Sequence, residues 1–287
     1  MQHLGGRVAV VTGAASGIGR SLATAFGKEG CRVVAADVEA DALERVDDEL
    51  RTAGIDHLTV PTDVADAASV DALATATIDH FGAAHVLCNN AGVSVTGAFV
   101  DQTVADWQWV LGVDLWGTVH GMRSFLPHLM AQDEAHIVNT ASVTGLHAFP
   151  MRASYNAAKF AVVGLTESVQ LELAELAPHV GLSLLCPGAT RTNLVSSTRN
   201  RPAALRTEAA PVTVSPVDEV AQTTAIVEAG MDPDAVAHLV VDAVRSRRFY
   251  VLTEPDLFAD ALTERTRRIL SGDPPVPMSV EQMLRPR

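Results

Sequence analysis

The chain has 287 residues and a formal net charge of −13, an acidic balance that argues against binding to nucleic acid or to an anionic membrane surface. It has no apolar run of about eighteen residues that could span a membrane, and its first residues lack the charged lead and cleavage site of a signal peptide. These features predict a soluble cytoplasmic protein, and the length fits one large α/β domain.

The first predicted strand, residues 7–12, is followed by a glycine-rich turn and a helical pattern that ends near Gly30. A strand, a glycine turn and a helix together direct backbone N–H groups and a helix N-terminus toward a phosphate. The G-x-x-x-G-x-G spacing is a variant of the dinucleotide-binding fingerprint, although glycine is also the usual residue of tight turns. The cofactor residues predicted in this turn are Gly13, Ser16, Gly17, Ile18 and Gly19.

The second predicted strand, residues 32–37, ends on an acid, Asp37. A carboxylate about twenty residues beyond the glycine turn hydrogen-bonds the adenosine ribose of NAD and would repel the 2′-phosphate of NADP. The two positions at which an arginine or lysine could bind a 2′-phosphate are occupied by Ala15 and Val38, which carry no charge. The pattern therefore favours NAD as the cofactor. The alternative interpretation is that Asp37 caps the helix that follows.

The next two predicted strands, residues 57–61 and 85–88, also end in polar or small residues. Ligands of open α/β sheets bind at the carboxyl ends of the strands. Asp63 could accept the adenine amino group or begin a turn, and Asn90 could lie beside a ligand or hydrogen-bond neighbouring strands. The cofactor residues predicted at these strand ends are Asp63, Val64, Asn90, Ala91 and Gly92.

A helical stretch over residues 104–130 is broken in its pattern near Asp114, and a strand over residues 136–140 leads to Ser142. Tyr155 and Lys159 follow on a predicted helix, where positions four apart share one face. A lysine beside a tyrosine favours the phenolate, which predicts a lowered pKa and an acid/base usable near neutral pH. The alternative is a helix with one aromatic residue on its core face and a lysine that extends to solvent.

Strands alternate with helices up to a sixth strand, residues 181–186, which ends at Pro187-Gly188. This alternation predicts a doubly wound parallel sheet with right-handed crossovers. The alternation of strands and helices stops over residues 189–230. We interpret this segment as a helical lid, with a disordered surface loop as the alternative. Within it, Ser215-Pro216 is predicted to begin a helix. Residues 256–287 are predicted to form a C-terminal helix and a proline-rich tail, which from Ser271 has no core pattern and could be a mobile or partner-docking arm.

Cysteine and histidine give no indication of a metal site or a disulfide. Cys31, Cys88 and Cys186 lie in or beside apolar runs without close spacing, which predicts reduced, buried thiols. The 10 histidines are scattered without ligand spacing. We therefore predict no metal.

Taken in order, Gly13-x-x-x-Gly17-x-Gly19, Asn89-Asn90-Ala91-Gly92, Ser142, Tyr155-x-x-x-Lys159 and Pro187-Gly188 resemble the short-chain dehydrogenase/reductase family in its single-domain branch, over about residues 5–255. The resemblance implies a Rossmann-type domain, residues 1–255, that moves hydride between a nicotinamide and a carbinol carbon, and a homo-oligomer that is a tetramer or a dimer. It implies that Tyr155 is the general acid/base, that Ser142 binds the substrate oxygen and that Lys159 holds the nicotinamide ribose. The further cofactor contacts that it implies are Tyr155, Lys159, Pro187, Gly188, Thr190 and Thr192.

One position departs from the family pattern, because Asp114 stands where the family usually has asparagine. The family residue completes a catalytic tetrad through a water that links to the lysine. An aspartate can replace it if the backbone carbonyl carries that role, whereas an ionised carboxylate would help to keep Lys159 protonated. The predicted catalytic set is therefore Ser142, Tyr155, Lys159 and Asp114.

The predicted substrate pocket is mostly apolar, which favours a hydrophobic, ring-bearing secondary alcohol or ketone. Arginines in the 189–230 segment could contact a carboxylate or the cofactor pyrophosphate, or could be solvated loop charges. The alternatives for the whole protein are a non-catalytic NAD(H)-sensing protein of this family and a reductase of 3-oxoacyl-type substrates. The predicted pocket residues are Ser94, Val95, Val143, Leu146, Phe149, Leu194 and Val195, with Met231 as a further candidate, and the loop arginines are Arg191, Arg199 and Arg201.

Overall fold

A computed structural model of the protein describes residues 1–206 and 217–278. Its central feature is a 7-stranded sheet in the order β3-β2-β1-β4-β5-β6-β7, in which every neighbouring pair runs parallel. The predicted doubly wound parallel sheet, a Rossmann-type fold, is confirmed. The strands are β1 (Val8–Thr12), β2 (Arg32–Asp37), β3 (His57–Pro61), β4 (Val86–Asn89), β5 (Ala135–Thr140), β6 (Val180–Cys186) and β7 (Tyr250–Leu252).

Helices cover both faces of the sheet. All five residues of β1 are buried, because alternate side chains of a central parallel strand point into two separate cores. Ala9 and Val11 pack with Phe26 in one core cluster, whereas Val8 and Val10 pack with Phe125 in the other. Burying an apolar side chain of this size stabilises the fold by about 1.5–3 kcal/mol. The helices are α1 (Gly17–Lys28), α2 (Ala40–Thr52), α3 (Ala67–Phe81), α4 (Val104–Leu111), α5 (Gly117–Met130), α6 (Ala153–Leu176), α7 (Val217–Glu228), α8 (Pro233–Ser246) and α9 (Pro255–Ser271).

The predicted break in the helical stretch is a turn of π-helix, Gly112–Trp116, between α4 and α5. A π turn inserts one residue into the helical ladder and is often found at functional sites. Here it carries Asp114, whose side chain is buried. The interruption of the sequence pattern therefore marks the point at which a carboxylate enters the interior of the protein.

The strand order changes direction between β1 and β4, since the chain passes from β3 at one edge back to β4 beside β1. At such a switch point the connections leave in opposite directions, and a crevice opens at the carboxyl ends of the strands. The sheet therefore places the ends of β1, β2, β4 and β5 around one space. Within the described ranges, each helix is too short or too polar to cross a membrane.

Two segments differ from the strand–helix rhythm. The chain after β6 forms the 3-10 segments Leu194–Asn200 and Ala203–Leu205 before α7; the predicted helix start at Ser215-Pro216 lies outside the described residues, and the function of this region as a lid remains a prediction. Residues 272–277 are exposed, whereas Met278 is buried against Val143 and Phe258; the mobile or partner-docking arm from Ser271 stays a prediction. The three cysteines are free and buried, as predicted.

Candidate active site

A cavity of about 410 Å³ lies in the crevice at the carboxyl ends of the strands. Its walls bring together turns that are widely separated in the sequence, from the glycine turn after β1 to the start of α9. All the residues predicted to contact the cofactor, with the exception of Gly19, line it: Gly13, Ser16, Gly17, Ile18, Asp37, Asp63, Val64, Asn90, Ala91, Gly92, Tyr155, Lys159, Pro187, Gly188, Thr190 and Thr192.

The glycine turn between β1 and α1 leaves no room for a side chain at its glycine positions. Gly13 has a φ of +67°, and a Cβ built on it would lie 2.8 Å from the Cα of Ala91. A Cβ on Gly19 would lie 2.0 Å from the carbonyl oxygen of Gly13, so Gly19 packs α1 against the strand instead of lining the cavity. The turn therefore presents bare backbone at the N-terminus of α1, which is a cradle that fits the pyrophosphate of a dinucleotide.

Asp37 lies at the end of β2 with its carboxylate on the cavity wall. One oxygen accepts the N–H of Ala15 over 2.9 Å, and the other accepts the N–H of Glu39 over 3.0 Å. Burial raises the pKa of Asp37, and the two N–H donors oppose that rise. The alternative that Asp37 caps α2 is wrong, because the N-cap residue is Glu39 and Asp37 accepts the N–H of Glu39 itself. Its two contacts fix the carboxylate at the end of β2.

Asp63 and Asn90 both make contacts that organise the strand ends. The side chain of Asp63 accepts the N–H of Ala65 over 2.9 Å. Asp63 therefore begins a turn, which is the sequence-based alternative to binding the adenine amino group. The amide of Asn90 donates to the carbonyl of Thr12 over 3.0 Å, and the N–H of Asn90 donates to the Thr12 hydroxyl. These contacts join β4 to β1, while both residues still line the cavity.

Ser142, Tyr155 and Lys159 converge on one wall of the cavity. Ser142 follows β5, and its hydroxyl accepts the N–H of Thr144 and lies 3.4 Å from the carbonyl oxygen of Pro187. Tyr155 and Lys159 lie one turn apart on α6, with the Lys159 ammonium 5.5 Å from the centre of the Tyr155 ring. The spacing of four residues therefore does place both groups on the face of α6 that meets the cavity.

Lys159 forms a direct ion pair with Asp114, with 3.2 Å between Nζ and Oδ2. The ammonium also donates to the carbonyl of Thr140 over 3.1 Å, and Oδ1 of Asp114 accepts the N–H of Val93 over 2.8 Å. Burial lowers the pKa of Lys159, but the Asp114 carboxylate opposes burial, and the pKa lies above its usual value. Burial also raises the pKa of Asp114. Because the ammonium touches the carboxylate, we place the proton on Lys159.

The pKa of Tyr155 moves in the direction opposite to the one predicted from the sequence. Burial is the largest influence and raises it, and the charge of Asp114 raises it further, whereas Lys159 and the hydrogen bond with Ser142 lower it. The sequence pattern contained the lysine but not the depth of the phenol, whose residue is only 6% exposed. At neutral pH, Tyr155 in this structure is therefore a neutral phenol, which is a proton donor.

The opposite end of the cavity corresponds only partly to the predicted substrate pocket. Val143, Phe149 and Leu194 line it, whereas the other predicted residues do not. Val95 packs beside Trp109, and the backbone of Ser94 is bonded to the hydroxyl of Ser197. Four predicted residues thus lie outside the cavity lining, and Met231 does too: Ser94, Val95, Leu146, Val195 and Met231.

Several lining residues had no signal in the sequence. Trp109 comes from α4, Phe258 from α9 and Met278 from the segment beyond it, so long-range packing brings them to the cavity. Polar side chains also line this end, which makes it less apolar than predicted. The polar lining residues missed at this end are Gln108, Arg152, Thr223 and Glu254.

Each of the three loop arginines is paired with a protein carboxylate. Arg191 pairs with Asp232, and Arg201 pairs with Asp106 and lies over the ring of Trp109. Arg199 pairs with Glu39 at the edge of the cavity. The side chains of Arg191 and Arg199 are 48% and 36% exposed, which agrees with the alternative of solvated loop charges, whereas that of Arg201 is only 12% exposed. The described part of the chain contains no group of His, Cys, Asp or Glu side chains that could hold a metal ion.

The chain belongs to the short-chain dehydrogenase family, whose pattern it matches over residues 7–203; it is an oxidoreductase of that family. It is 30% identical to a CLA biosynthesis dehydrogenase/reductase of Lactiplantibacillus plantarum, over 96% of this chain and 97% of that protein. It is 40% identical to the 2-(R)-hydroxypropyl-CoM dehydrogenase of Xanthobacter autotrophicus, over 68% of this chain and 79% of that protein. Its sequence is also 42% identical to that of a Burkholderia phymatum short-chain dehydrogenase/reductase whose crystal structure was solved in complex with NAD. The two structures superpose with a TM-score of 0.94, over 97% of this chain and 100% of that one.

Proposed function

We propose that this protein is an NAD-dependent dehydrogenase that transfers hydride between NAD and a hydrophobic secondary alcohol or the corresponding ketone. The observation that carries the proposal is that Ser142, Tyr155 and Lys159 line the same cavity as the glycine turn. A proton-transferring phenol and a phosphate cradle on one cavity are what hydride transfer to a nicotinamide cofactor requires.

The residues of this chain would divide the proton chemistry between them. In oxidation, the deprotonated form of Tyr155 takes the hydroxyl proton and becomes the phenol, Ser142 holds the substrate oxygen, and the Lys159 ammonium stabilises the phenolate before the transfer. In reduction, the neutral Tyr155 phenol returns that proton to the carbonyl oxygen. When bound, the nicotinamide supplies the hydride acceptor or donor. The raised pKa of Tyr155 favours reduction at neutral pH and predicts that oxidation accelerates as the pH rises.

The preference for NAD over NADP rests on the buried carboxylate of Asp37. It lines the cavity at the end of β2, where an acid suits the ribose hydroxyls and repels a 2′-phosphate. The similar Burkholderia structure holds NAD, which supports the same assignment. Gly13 and Gly17 have no side chain that would exclude the pyrophosphate.

The substrate class is proposed from the wall opposite the glycine turn. Phe149, Trp109 and Phe258 present aromatic surface there, which favours a bulky, ring-bearing alcohol or ketone. Arg152 and Glu254 interrupt that surface, so we expect the substrate to carry a polar group in addition to its carbinol. Recognition of a polar group by a buried partner gives strong discrimination against analogues that lack it.

The test is a set of initial rates with NAD and with NADP over a panel of secondary alcohols and their ketones, with and without ring substituents. NAD-linked turnover that falls when Ser142 is changed to Ala supports the dehydrogenase. A preference for NADP would contradict the role given to Asp37. NADH binding without turnover of any alcohol or ketone would favour the alternative of an NAD(H)-sensing protein.

We also propose that the protein is a homo-oligomer. Val104 of α4, Trp116 of the π turn and Leu171 of α6 are 74%, 54% and 74% exposed, which is unusual for large apolar side chains on neighbouring helices. Sedimentation velocity of the full chain measures the assembly. A monomer at micromolar concentration would contradict it.

A further inference from the structure

The edge of the cavity at the end of β2 is crossed by a contact between residues far apart in the chain. Arg199 donates to both carboxylate oxygens of Glu39, over 2.6 and 3.2 Å, and Asn200 donates to the same carboxylate over 2.8 Å. All three residues line the cavity. We call this set, Glu39, Arg199 and Asn200, the rim contact.

The rim contact adjoins the carboxylate that we assign to the ribose. The N–H of Glu39 donates to Oδ1 of Asp37 over 3.0 Å, so Glu39 and Asp37 are neighbours on one stretch of wall. The Arg199 guanidinium holds the pKa of Glu39 below its usual range. Two carboxyl groups therefore lie side by side on the stretch of wall that we assign to the adenosine ribose.

Arg199 is also a potential phosphate ligand in its own right. Among the described residues, the cationic side chains that line the cavity are Arg152, Lys159 and Arg199. Lys159 is paired with Asp114, and Arg152 donates to Thr223 beside the start of α6. Arg199 is thus the guanidinium at the β2 end, and an arginine near that end is what accommodates the 2′-phosphate of NADP.

We infer that Glu39 is a second determinant of cofactor choice, because it holds Arg199 in the rim contact and so keeps that guanidinium from a 2′-phosphate. The inference rests on the proposed use of NAD. Asp37 disfavours NADP by repelling its 2′-phosphate. Glu39 disfavours NADP by pairing with Arg199, the cation that could otherwise bind the phosphate and offset that repulsion. Arg199 is oriented for this by its own segment, since it also donates to the carbonyls of Asn193 and Ser196.

The test measures binding, so that it needs no knowledge of the alcohol. Calorimetric titrations compare 2′,5′-ADP with 5′-ADP, and NADP with NAD, on the full chain. In Glu39→Gln, we expect affinity for 2′,5′-ADP to rise by about tenfold or more, because a charged hydrogen bond to phosphate becomes available. The rise should disappear in Glu39→Gln/Arg199→Gln.

Glu49→Gln is the matched control. Glu49 also accepts two hydrogen bonds from one arginine, Arg20, each over 2.7 Å, but neither residue lines the cavity. Its substitution should change neither affinity. The same variants are also measured on an Asp37→Asn background. If repulsion between Asp37 and the 2′-phosphate hides the gain in affinity for 2′,5′-ADP, the gain appears on this background.

The outcomes separate the two proposals. Tighter binding of NADP than of NAD by the unaltered protein would contradict the proposed cofactor. A preference for NAD together with no gain in Glu39→Gln on either background would overturn only the role of Glu39. A gain that survives the loss of Arg199 would show that removal of negative charge is sufficient, and this would overturn the role of the guanidinium.

Discussion

Two ion pairs border the cavity, and they differ mainly in their contact with water. The Lys159 and Asp114 side chains are 3% and 0% exposed, whereas those of Arg199 and Glu39 are 36% and 26% exposed. Charges removed from water act strongly on each other and on neighbouring groups, whereas charges near the surface are screened. The buried pair can therefore set the protonation of Tyr155, while the rim contact mainly determines where a guanidinium lies.

The two pairs also differ in how the chain builds them. Both pairs have additional backbone contacts, but Asp114 lies in the π turn and Lys159 in α6, two elements that pack against each other. The rim contact joins a residue before α2 to a 3-10 segment, and Glu39 and Arg199 are 160 positions apart in the sequence. We expect substitutions in the buried Asp114–Lys159 pair to change both catalysis and the free energy of unfolding. Substitutions in the rim contact should mainly change which cofactor binds.

The largest effect is expected from Tyr155→Phe. Removing the proton-transferring group should lower kcat by about 10²–10⁴-fold while NADH binding persists, measured by steady-state rates and by cofactor fluorescence. Tyr250→Phe is the matched control, because Tyr250 is the other tyrosine of the chain and bonds Glu167 on the surface. A Tyr155→Phe enzyme that kept most of its turnover would refute the assignment.

The next effect concerns stability. Asp114→Ala leaves Lys159 buried without its carboxylate, which should reduce the free energy of unfolding by about 3–5 kcal/mol, measured by urea denaturation. Asp114→Asn should cost less, because the amide oxygen can still accept the N–H of Val93. Equal stabilities for Asp114→Ala and the unaltered protein would show that the pair is not a charged one.

Asp114→Asn should also alter the pH dependence of oxidation. The Asp114 charge raises the pKa of Tyr155, so its removal lowers that pKa and moves the rise in oxidation rate to lower pH. The measurement is kcat/KM for the alcohol against pH. A shift to higher pH would instead mean that Lys159 has lost its proton, since burial lowers its pKa once the carboxylate is gone.

The smallest effect is expected at the rim. Arg199→Gln should change the free energy of unfolding by less than about 1 kcal/mol, because the pair is partly exposed, and added salt should reduce the difference further. Urea denaturation at low and high salt measures both. A loss of unfolding free energy as large as that in Asp114→Ala would contradict the distinction drawn between the buried ion pair and the rim contact.

Much of the fold and of the candidate site could be predicted because the relevant signals are local. The alternation of apolar strands with helical patterns predicts the parallel sheet, and parallel strands bring their carboxyl ends to one edge. Asp37, Asn90 and Ser142 lie at or just beyond the carboxyl ends of strands, so their meeting around one cavity follows from the sheet. The spacing of Tyr155 and Lys159 likewise follows from the pitch of a helix.

The tertiary structure decided what depends on packing between distant segments. The pKa of Tyr155 depends on its burial, which its neighbours in sequence do not determine. The partnership of Asp114 with Lys159 requires the π turn to face α6, and the rim contact requires the chain after β6 to reach the end of β2. Met278 and Phe258 enter the cavity wall through the packing of α9 and the segment after it. Side chains so far apart meet only when the angles between packed elements are set, and no local periodicity in a sequence encodes those angles.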